Sequence, residues 1–274
     1  MPDGGAVTRH TLRQQIADAL RDEILAGRLL PGREFTVRTI AEQYGVSATP
    51  VREALVDLSA QGLLDSDQHR GFRVHRFSLA DFRGMVEARS LLEDGVFRKL
   101  EQTLSERPGP GAGRLSAPTA LLTAVRRRAQ EAARAARAGD VAILIGYDLR
   151  FWRELSALGD NRYVSEFLDR MRVKAWVFAV PFLREEAQAY RWLWSGHEEL
   201  VDAVAAGDTA GIRTLIEQYN THLLTWADEL AHRADRQTAG GLAPCPGDSG
   251  GPGGSCDGGA RGAPGRGARG GAAG

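Results

Sequence analysis

The sequence is poor in the features that mark membrane, secreted and disulfide-bonded proteins. Its 274 residues include only two cysteines, Cys245 and Cys256, and both lie in a glycine-rich segment near the end. They imply neither a disulfide framework nor a redox site. No apolar run approaches the length of a membrane span, and no signal peptide opens the chain. These absences predict a cytoplasmic protein with no membrane partner.

Net charge does not indicate a nucleic-acid partner. The 35 basic side chains are matched by 35 acidic ones, so the formal net charge is zero. Lysine is nearly absent, with Lys99 and Lys174 set against many arginines. A global basic field is therefore missing, and any contact with nucleic acid has to depend on local arginines.

Length and composition predict two folded domains with unstructured ends. After Ala234 the chain consists of Gly, Ala, Pro, Ser and Arg with almost no large apolar residue, a composition that cannot offset the entropy of ordering. The predicted segments are a disordered N-terminus over 1–8, a first domain over 9–77, a second over 78–234, and a disordered glycine-rich tail over 235–274.

The segment from Val46 to Leu55 is typical of a helix that enters a DNA groove. Ser47 is a good N-cap, and Pro50 is tolerated in a first turn because the N–H groups there have no partner within the helix. Thr49 and Arg52 then point outward. The inward face is apolar and comprises Val51, Ala54, Leu55 and Leu58.

Two further helices and a hairpin complete a winged helix-turn-helix. One helix runs from the cap at Thr36 to Gly45, and an earlier one runs from Thr11 to Gly27. In 70–76, apolar Phe72 and Val74 alternate with basic residues, as in a half-buried strand. The first domain is thus predicted to have three helices plus a β-hairpin wing, with Arg70 and Gly71 at the wing tip.

The second domain is predicted to be entirely helical. Six helices with short connections indicate an antiparallel bundle and make the fold class mainly α. The predicted helices span 79–102, 121–138, 140–158, 161–182, 185–206 and 208–232.

Polar residues interrupt the apolar stripes of four of these helices. They are Arg89, Glu93, Asp148, His197 and Tyr219. Buried polar groups are costly unless they have partners, so their coincidence predicts a shared polar cavity for a ligand. Arg89 and Glu93 are four residues apart, a spacing at which they can simply pair with each other. His197 is also consistent with a core residue whose hydrogen bonds are satisfied within the protein. These alternatives stay open.

Residues 9–76 closely resemble the GntR family of bacterial transcription regulators. The motif Val-Ser-Ala-Thr-Pro-Val-Arg-Glu-Ala-Leu over 46–55 matches the family pattern, with Ala48 in place of the usual arginine. The resemblance implies that Arg38, Thr49 and Arg52 contact bases or phosphates. With Ser47 at the helix start and Arg70 and Gly71 in the wing, they form the predicted DNA-binding set.

The second domain resembles the helical effector domain of the FadR-like branch, the FCD type. The resemblance is carried by segments 87–93, 148–152, 159–161 and 196–208. Most of that branch binds a divalent metal through an Asp and three His, against which a carboxylate effector rests. Here Asp148 and His197 match, but Trp152 and Tyr219 occupy the other positions, with His222 one turn beyond Tyr219. Tryptophan cannot ligate a metal and tyrosine replaces imidazole poorly, so the resemblance implies a metal-free or weakly metallated pocket.

The sequence therefore predicts a transcriptional repressor that binds an inverted-repeat operator in double-stranded DNA as a homodimer. A small anionic effector, expected to be a carboxylate, would bind Arg89, Asp148, Trp152, His197 and Tyr219 without cofactor or metal. Catalysis is not expected, since no nucleophile elbow or phosphate-binding loop is present. The alternative is a constitutive or architectural DNA binder whose bundle serves only dimerisation.

Overall fold

The computed structural model describes residues 5–67, 71–105, 119–158 and 161–240. Helices dominate this part of the chain, and one small antiparallel sheet lies in the N-terminal half. The helices are α1 Gly5–Leu25, α2 Val37–Tyr44, α3 Ala48–Ala60, α4 Leu79–Ser105, α5 Thr119–Ala138, α6 Val141–Ser156, α7 Arg162–Glu185, α8 His197–Ala206 and α9 Thr209–Gly240. The strands are β1 Glu34–Phe35, β2 Leu64–Asp67 and β3 Gly71–Val74.

The first domain is a winged helix, as the sequence predicts. The side chains of Val51, Ala54, Leu55 and Leu58 are fully buried against α1 and α2, which orients the start of α3 toward solvent. Thr36 caps α2 by accepting the Thr39 N–H at 3.1 Å, and Gly45 ends that helix in the left-handed conformation with φ 63°. Short capping residues and one apolar stripe thus set the angle between α2 and α3.

The wing carries a strand that the sequence analysis missed. β1 pairs with β3, which also pairs with β2, so the strand order is β1-β3-β2. Two residues are too few to show an alternating pattern, and this is why β1 gave no sequence signal.

The second domain packs six α-helices, in agreement with the predicted bundle. Helix α4 packs against α7 and α9, α5 packs against α6 and α8, and α6 also packs against α7. Ser78 and Asp81 form the capping box that begins α4, with the Ser78 N–H donating to Asp81 at 2.7 Å. Asp140 and Asn161 cap α6 and α7 in the same manner.

Two predicted helix boundaries were wrong. Helix α1 begins at Gly5 rather than Thr11, so residues 5–8 are helical; neither proline nor glycine interrupts the chain between Ala6 and Leu25. Helix α9 continues to Gly240, so 235–240 is helical rather than disordered. Glycine and proline are absent from 212–239, and Arg233 and Arg236 both pair with Glu229.

The predicted helix over 185–206 is in fact a turn followed by a shorter helix. The chain leaves the helical conformation at Glu186, makes a single 3-10 turn over Ala189–Trp192, and resumes as α8 at His197. Gly196 is the N-cap, against which the Trp194 ring packs closely. His197 therefore begins a helix instead of interrupting one.

Helix α7 belongs to the second domain and also contacts the first. Arg184 donates to the Ala26 carbonyl at the end of α1, and the Val180 side chain packs against Gly27. Lys174 lies beside Gly62 just after α3, where an added Cβ would be 2.9 Å from the lysine Nζ. Other residues of α7, among them Arg172 and Trp176, face the interior of the bundle.

Candidate nucleic-acid interface and helical-domain cavity

A groove of about 640 Å³ lies where α2, the first turn of α3 and the wing meet. The predicted residues Arg38, Arg52 and Gly71 all line it, as does Ala48 at the position of the usual family arginine. Thr49 is exposed on the adjoining turn of α3. The structure thus brings most of the predicted DNA-binding set to one surface.

The two arginines of this groove differ in their partners. Arg38 pairs with Glu42 on its own helix at 2.7 Å, which satisfies part of its charge. Among the described residues, no carboxylate lies within ion-pair distance of Arg52; in particular, the pairing with Glu53 allowed by the sequence is not formed. Arg52 is therefore the cation at the start of α3 that is available to a phosphate or a base edge.

Ser47 and Gly71 have roles different from those expected. Ser47 is the N-cap of α3 by position, but its hydroxyl makes no capping hydrogen bond and stays exposed. Gly71 has φ 96°, and a Cβ there would lie 2.7 Å from the Phe35 carbonyl oxygen. Close approach of β3 to β1 requires this glycine, independently of any DNA. The predicted Arg70 lies outside the described residues.

A cavity of about 40 Å³ lies in the interior of the second domain, between α4, α6, α7 and α9. Arg89, Asp148 and Tyr219 line it, as the sequence predicts. Trp152 and His197 are buried behind Asp148 and are not part of the wall. Most of the remaining wall is apolar or aromatic and includes Phe82, Leu144, Trp176, Trp192, Trp194 and Trp226.

One side of the cavity holds a buried network centred on Glu93. Arg172 donates to Glu93 Oε1 at 2.7 Å, and the Asn220 amide donates to Oε2 at 3.0 Å. Arg89 donates to Asn220 Oδ1 at 2.5 Å and lies 3.8 Å from Glu93, an ion pair rather than a hydrogen bond. The predicted Arg89–Glu93 pair is thus part of a four-residue network.

This network leaves guanidinium donors unused. The Nε of Arg89 and both Nε and Nη1 of Arg172 are buried without a hydrogen-bond partner among the described residues. Burial lowers the pKa of Arg172, an effect that the nearby Glu93 carboxylate opposes. Arg172 also lines the cavity, and its two spare donor atoms are buried.

Asp148 accepts three hydrogen bonds on the other side of the cavity. Its Oδ1 accepts from Trp152 Nε1 at 2.9 Å and from His197 Nε2 at 3.0 Å, and its Oδ2 accepts from Trp176 Nε1 at 2.8 Å. His197 serves to position Asp148. Both carboxylate oxygens are occupied.

Aromatic rings connect these two groups of polar residues. Trp152 and Tyr219 stack with centroids 5.0 Å apart, and the guanidinium of Arg172 lies 4.2 Å from the Trp152 ring. Arg89 lies 4.7 Å from the Tyr219 ring in the same way. Burial raises the pKa of the Tyr219 phenol to about 12, so that this hydroxyl stays neutral.

The residues present do not fit the divalent metal of the FadR-like branch. In the described part of the chain, no three His, Cys, Asp or Glu side chains come together as a metal site would require. Both oxygens of Asp148 already accept from indole or imidazole donors, the Tyr219 phenol is neutral, and His222 does not join Asp148 and His197. A guanidinium already lies over Trp152.

Two residues of this site escaped the sequence analysis, although the apolar stripes could have revealed them. Arg172 follows Leu168 by one turn and precedes Ala175 and Ala179 on the buried face of α7. Asn220 lies one turn after the buried Ile216 of α9. Both positions lie on apolar stripes of the kind that revealed Asp148 and Tyr219.

Comparisons with known proteins identify both domains. Residues 12–74 match the family model described as bacterial regulatory proteins, gntR family, and residues 110–222 match the FCD domain. The chain is 30% identical over 204 residues to the probable D-xylose utilization operon transcriptional repressor of Paenarthrobacter nicotinovorans, covering 74% of this chain and 82% of that protein. The chain belongs to the GntR family.

Other relatives of this GntR regulator share shorter segments. The transcriptional repressor RspR of Escherichia coli is 30% identical over 95 residues, which are 35% of this chain and 42% of RspR. The chain is thus a DNA-binding transcriptional regulator with an FCD domain. The described residues contain no helix long and apolar enough to span a lipid bilayer.

Solved structures show the same fold at low identity. McbR/YncC of E. coli superposes with a TM-score of 0.63 at 20% identity, covering 80% of this chain and 98% of McbR. A GntR regulator from Rhodococcus sp. RHA1 superposes with a TM-score of 0.59 at 21% identity, covering 78% of this chain and 96% of that one. The arrangement of winged helix and helical domain is common to all three.

Proposed function

We propose that this GntR regulator is a cytoplasmic, non-catalytic repressor, a homodimer whose affinity for an inverted-repeat operator changes when a small carboxylate enters the helical-domain cavity. One observation carries the proposal. Helix α7 contributes Arg172 and Trp176 to the cavity wall, and its next two turns contact the winged helix through Val180 and Arg184. A ligand that moves α7 has a direct contact through which to act on the DNA-binding domain.

DNA binding is assigned to the start of α3, with Arg52 as its main specific contact. The side chain is exposed, has no acidic partner among the described residues, and lines the groove between α2 and the wing. Thr49 and Arg38 flank it. In a helix-turn-helix protein the N-terminal residues of the recognition helix contact the base edges of the major groove.

Homodimerisation follows from the presence of one recognition helix in each chain. A single winged helix reads one half-site, and two half-sites related by twofold symmetry need two copies of the protein. The names of two relatives support the role of repressor: the P. nicotinovorans protein and RspR of E. coli are both named as repressors.

The carboxylate assignment depends on the spare guanidinium donors. Arg89 retains an unpartnered Nε inside an otherwise aromatic cavity, and charge-assisted hydrogen bonds to a carboxylate are among the strongest available to a protein. Tyr219 stacks beside this donor, while Asp148, Trp152 and His197 form the supporting group behind the wall.

The small size of the cavity favours a second candidate function, that of a constitutive DNA binder. About 40 Å³ is little room for an effector, and a constitutive DNA binder with a purely dimerising bundle would need none. In that alternative, the network around Glu93 serves only to hold α4, α7 and α9 together.

Operator selection from a random DNA library, followed by fluorescence anisotropy with and without small organic acids, separates the two functions. The proposal predicts an inverted-repeat site, a dimer in sedimentation and an operator affinity that changes with at least one acid. Operator affinity indifferent to every acid tested, with the dimer intact, would establish the constitutive binder. A strict monomer that binds a single half-site just as tightly would refute the homodimer.

A further inference from the structure

We infer that the Arg172 guanidinium is a resident cation that takes the place of a divalent metal in this FCD domain, and that it anchors the carboxylate of a compact ligand directly. The inference rests on the proposed function, because it names the group that holds the proposed effector. It assigns a role to a residue that the sequence analysis did not select.

The first step concerns Asp148, the side chain best suited to a metal. Its two oxygens accept from two indole N–H groups and one imidazole N–H at 2.8–3.0 Å. A metal that displaced these donors would leave buried N–H groups without partners, which is costly in an apolar interior. These donors therefore stabilise Asp148 as a carboxylate that binds no metal.

The second step concerns the position of Arg172. Its side chain is only 2% exposed, and its guanidinium lies over the Trp152 ring, so it is fixed within the group that surrounds Asp148. One nitrogen binds Glu93, while Nε and Nη1 have no hydrogen-bond partner among the described residues. A buried cation with spare donors on a cavity wall is the arrangement that an anionic ligand requires.

The third step is the local charge. The Asp148 carboxylate lines the cavity together with two guanidinium groups, those of Arg89 and Arg172, and the Glu93 carboxylate pairs with both of these arginines. A dication placed beside them would be repelled at short range in a medium of low dielectric constant. The same positive charge attracts a carboxylate, so the side of the cavity formed by the arginines favours an anion over a metal.

The fourth step is size. The cavity of about 40 Å³ is well below the roughly 150 Å³ that holds benzene in an engineered apolar cavity. Ligands of two or three carbon atoms fit best, with the carboxylate on the arginines and the short apolar end against the tryptophans. Acetate and pyruvate are suitable probes, and acetamide is the neutral isostere.

The test measures thermal stability and calorimetric binding of the full chain with each probe, sodium chloride keeping the ionic strength constant. Acetate or pyruvate should raise the Tm of the wild type, and acetamide should not, because ligands that bind only the folded state stabilise it. Arg172→Gln should weaken binding about tenfold or more. Arg170→Gln removes a charge from the exposed side of the same helix and should change nothing.

Arg172→Lys keeps the test decisive if the glutamine variant does not fold. The lysine retains the charge toward Glu93 but has no second planar donor, so acetate or pyruvate should bind several-fold more weakly. Equal binding by wild type and either folded variant, or no binding of any carboxylate by the wild type, would overturn the anchor.

Metal is measured on the same samples. Purified protein should contain well below one equivalent of zinc, nickel or manganese, and added zinc or nickel should leave the Tm unchanged. Stoichiometric metal that is lost in Asp148→Ala would overturn the inference. Fluorescence anisotropy of operator binding distinguishes the anchor from the proposed regulation. Carboxylate binding that depends on Arg172 but leaves operator affinity unaltered contradicts only the regulation. An acid response that survives in Arg172→Gln contradicts only the anchor.

Discussion

Glu93 on α4 and Arg172 on α7 join two helices through a 2.7 Å hydrogen bond in which both side chains are almost fully buried. The carboxylate serves two arginines, because Arg89 lies 3.8 Å away on the other side. A buried ion pair contributes little by itself, but removing one member leaves an uncompensated charge. The Glu93 position is thus more sensitive to substitution than either arginine.

Glu93→Ala is expected to lower the free energy of unfolding by about 3–5 kcal/mol, because two buried guanidinium groups lose their acceptor. Glu93→Gln should cost less, since its carbonyl still accepts from Arg172. Urea unfolding followed by circular dichroism measures both. Glu87→Ala, on the exposed side of the same helix, is the control and should stay within about 0.5 kcal/mol of the wild type. A loss no larger in Glu93→Ala than in the control would mean that the network is not buried as described.

Arg52→Ala is expected to weaken operator binding by about 1–3 kcal/mol without changing the Tm, because the side chain is exposed and contacts DNA rather than the protein core. Fluorescence anisotropy on the selected operator measures this loss. Arg170→Ala removes the same charge from a residue that does not line the groove and should bind normally. Equal affinities for all three proteins would remove Arg52 from the interface.

Gly71→Ala is expected to destabilise the winged helix by about 1–3 kcal/mol, because the new Cβ meets the Phe35 carbonyl at 2.7 Å in a backbone with φ 96°. Gly45→Ala offers a matched comparison: its φ of 63° is also left-handed, but no atom lies within 4 Å of an added Cβ. Gly45→Ala should lose only the stability that any side chain costs in a left-handed backbone conformation, about 1 kcal/mol. Thermal unfolding in which both variants lose the same stability would show that β1 does not constrain the glycine.

Tyr219 should make the stability of the protein dependent on pH in the alkaline range. Its pKa rises from 10.0 to about 12 on burial, so the unfolded phenol ionises while the folded one keeps its proton. The resulting stabilisation is fully present below pH 10 and is lost as the pH rises toward 12. Relative to Tyr219→Phe, the free energy of unfolding of the wild type should fall by about 1.4 kcal/mol between pH 9 and pH 11. Urea unfolding at the two pH values measures this loss. A difference in the free energy of unfolding between wild type and Tyr219→Phe that is the same at both pH values would contradict the burial of the phenol.

The sequence was sufficient for the parts of the fold that depend on local patterns. Capping residues such as Thr36, Asp140 and Asn161 predicted helix starts, and the apolar stripes predicted the burial of Arg89, Asp148 and His197. These signals are local because a cap or a stripe involves residues only a few positions apart.

Contacts between helices could not be predicted in this way. The indole of Trp176 meets Asp148 across 28 residues, and Arg172 meets Glu93 across 79. Both pairs depend on how α4, α6 and α7 are rotated against one another. The turn before α8 was also missed, although the contact of Trp194 with Gly196 that accompanies it is local. The sequence therefore located the cavity but assigned its cationic anchor to Arg89 alone.

The position of α7 between the two domains limits how modular the protein is. The winged helix meets the bundle at Ala26, Gly27 and Gly62, and the partners of these residues, Arg184, Val180 and Lys174, all belong to α7. A chimaera that joins this DNA-binding domain to the sensor of another regulator must therefore bring the outer side of α7 with it. Conversely, the inner side of α7 can be redesigned for a new ligand while the surface that holds the winged helix is left intact.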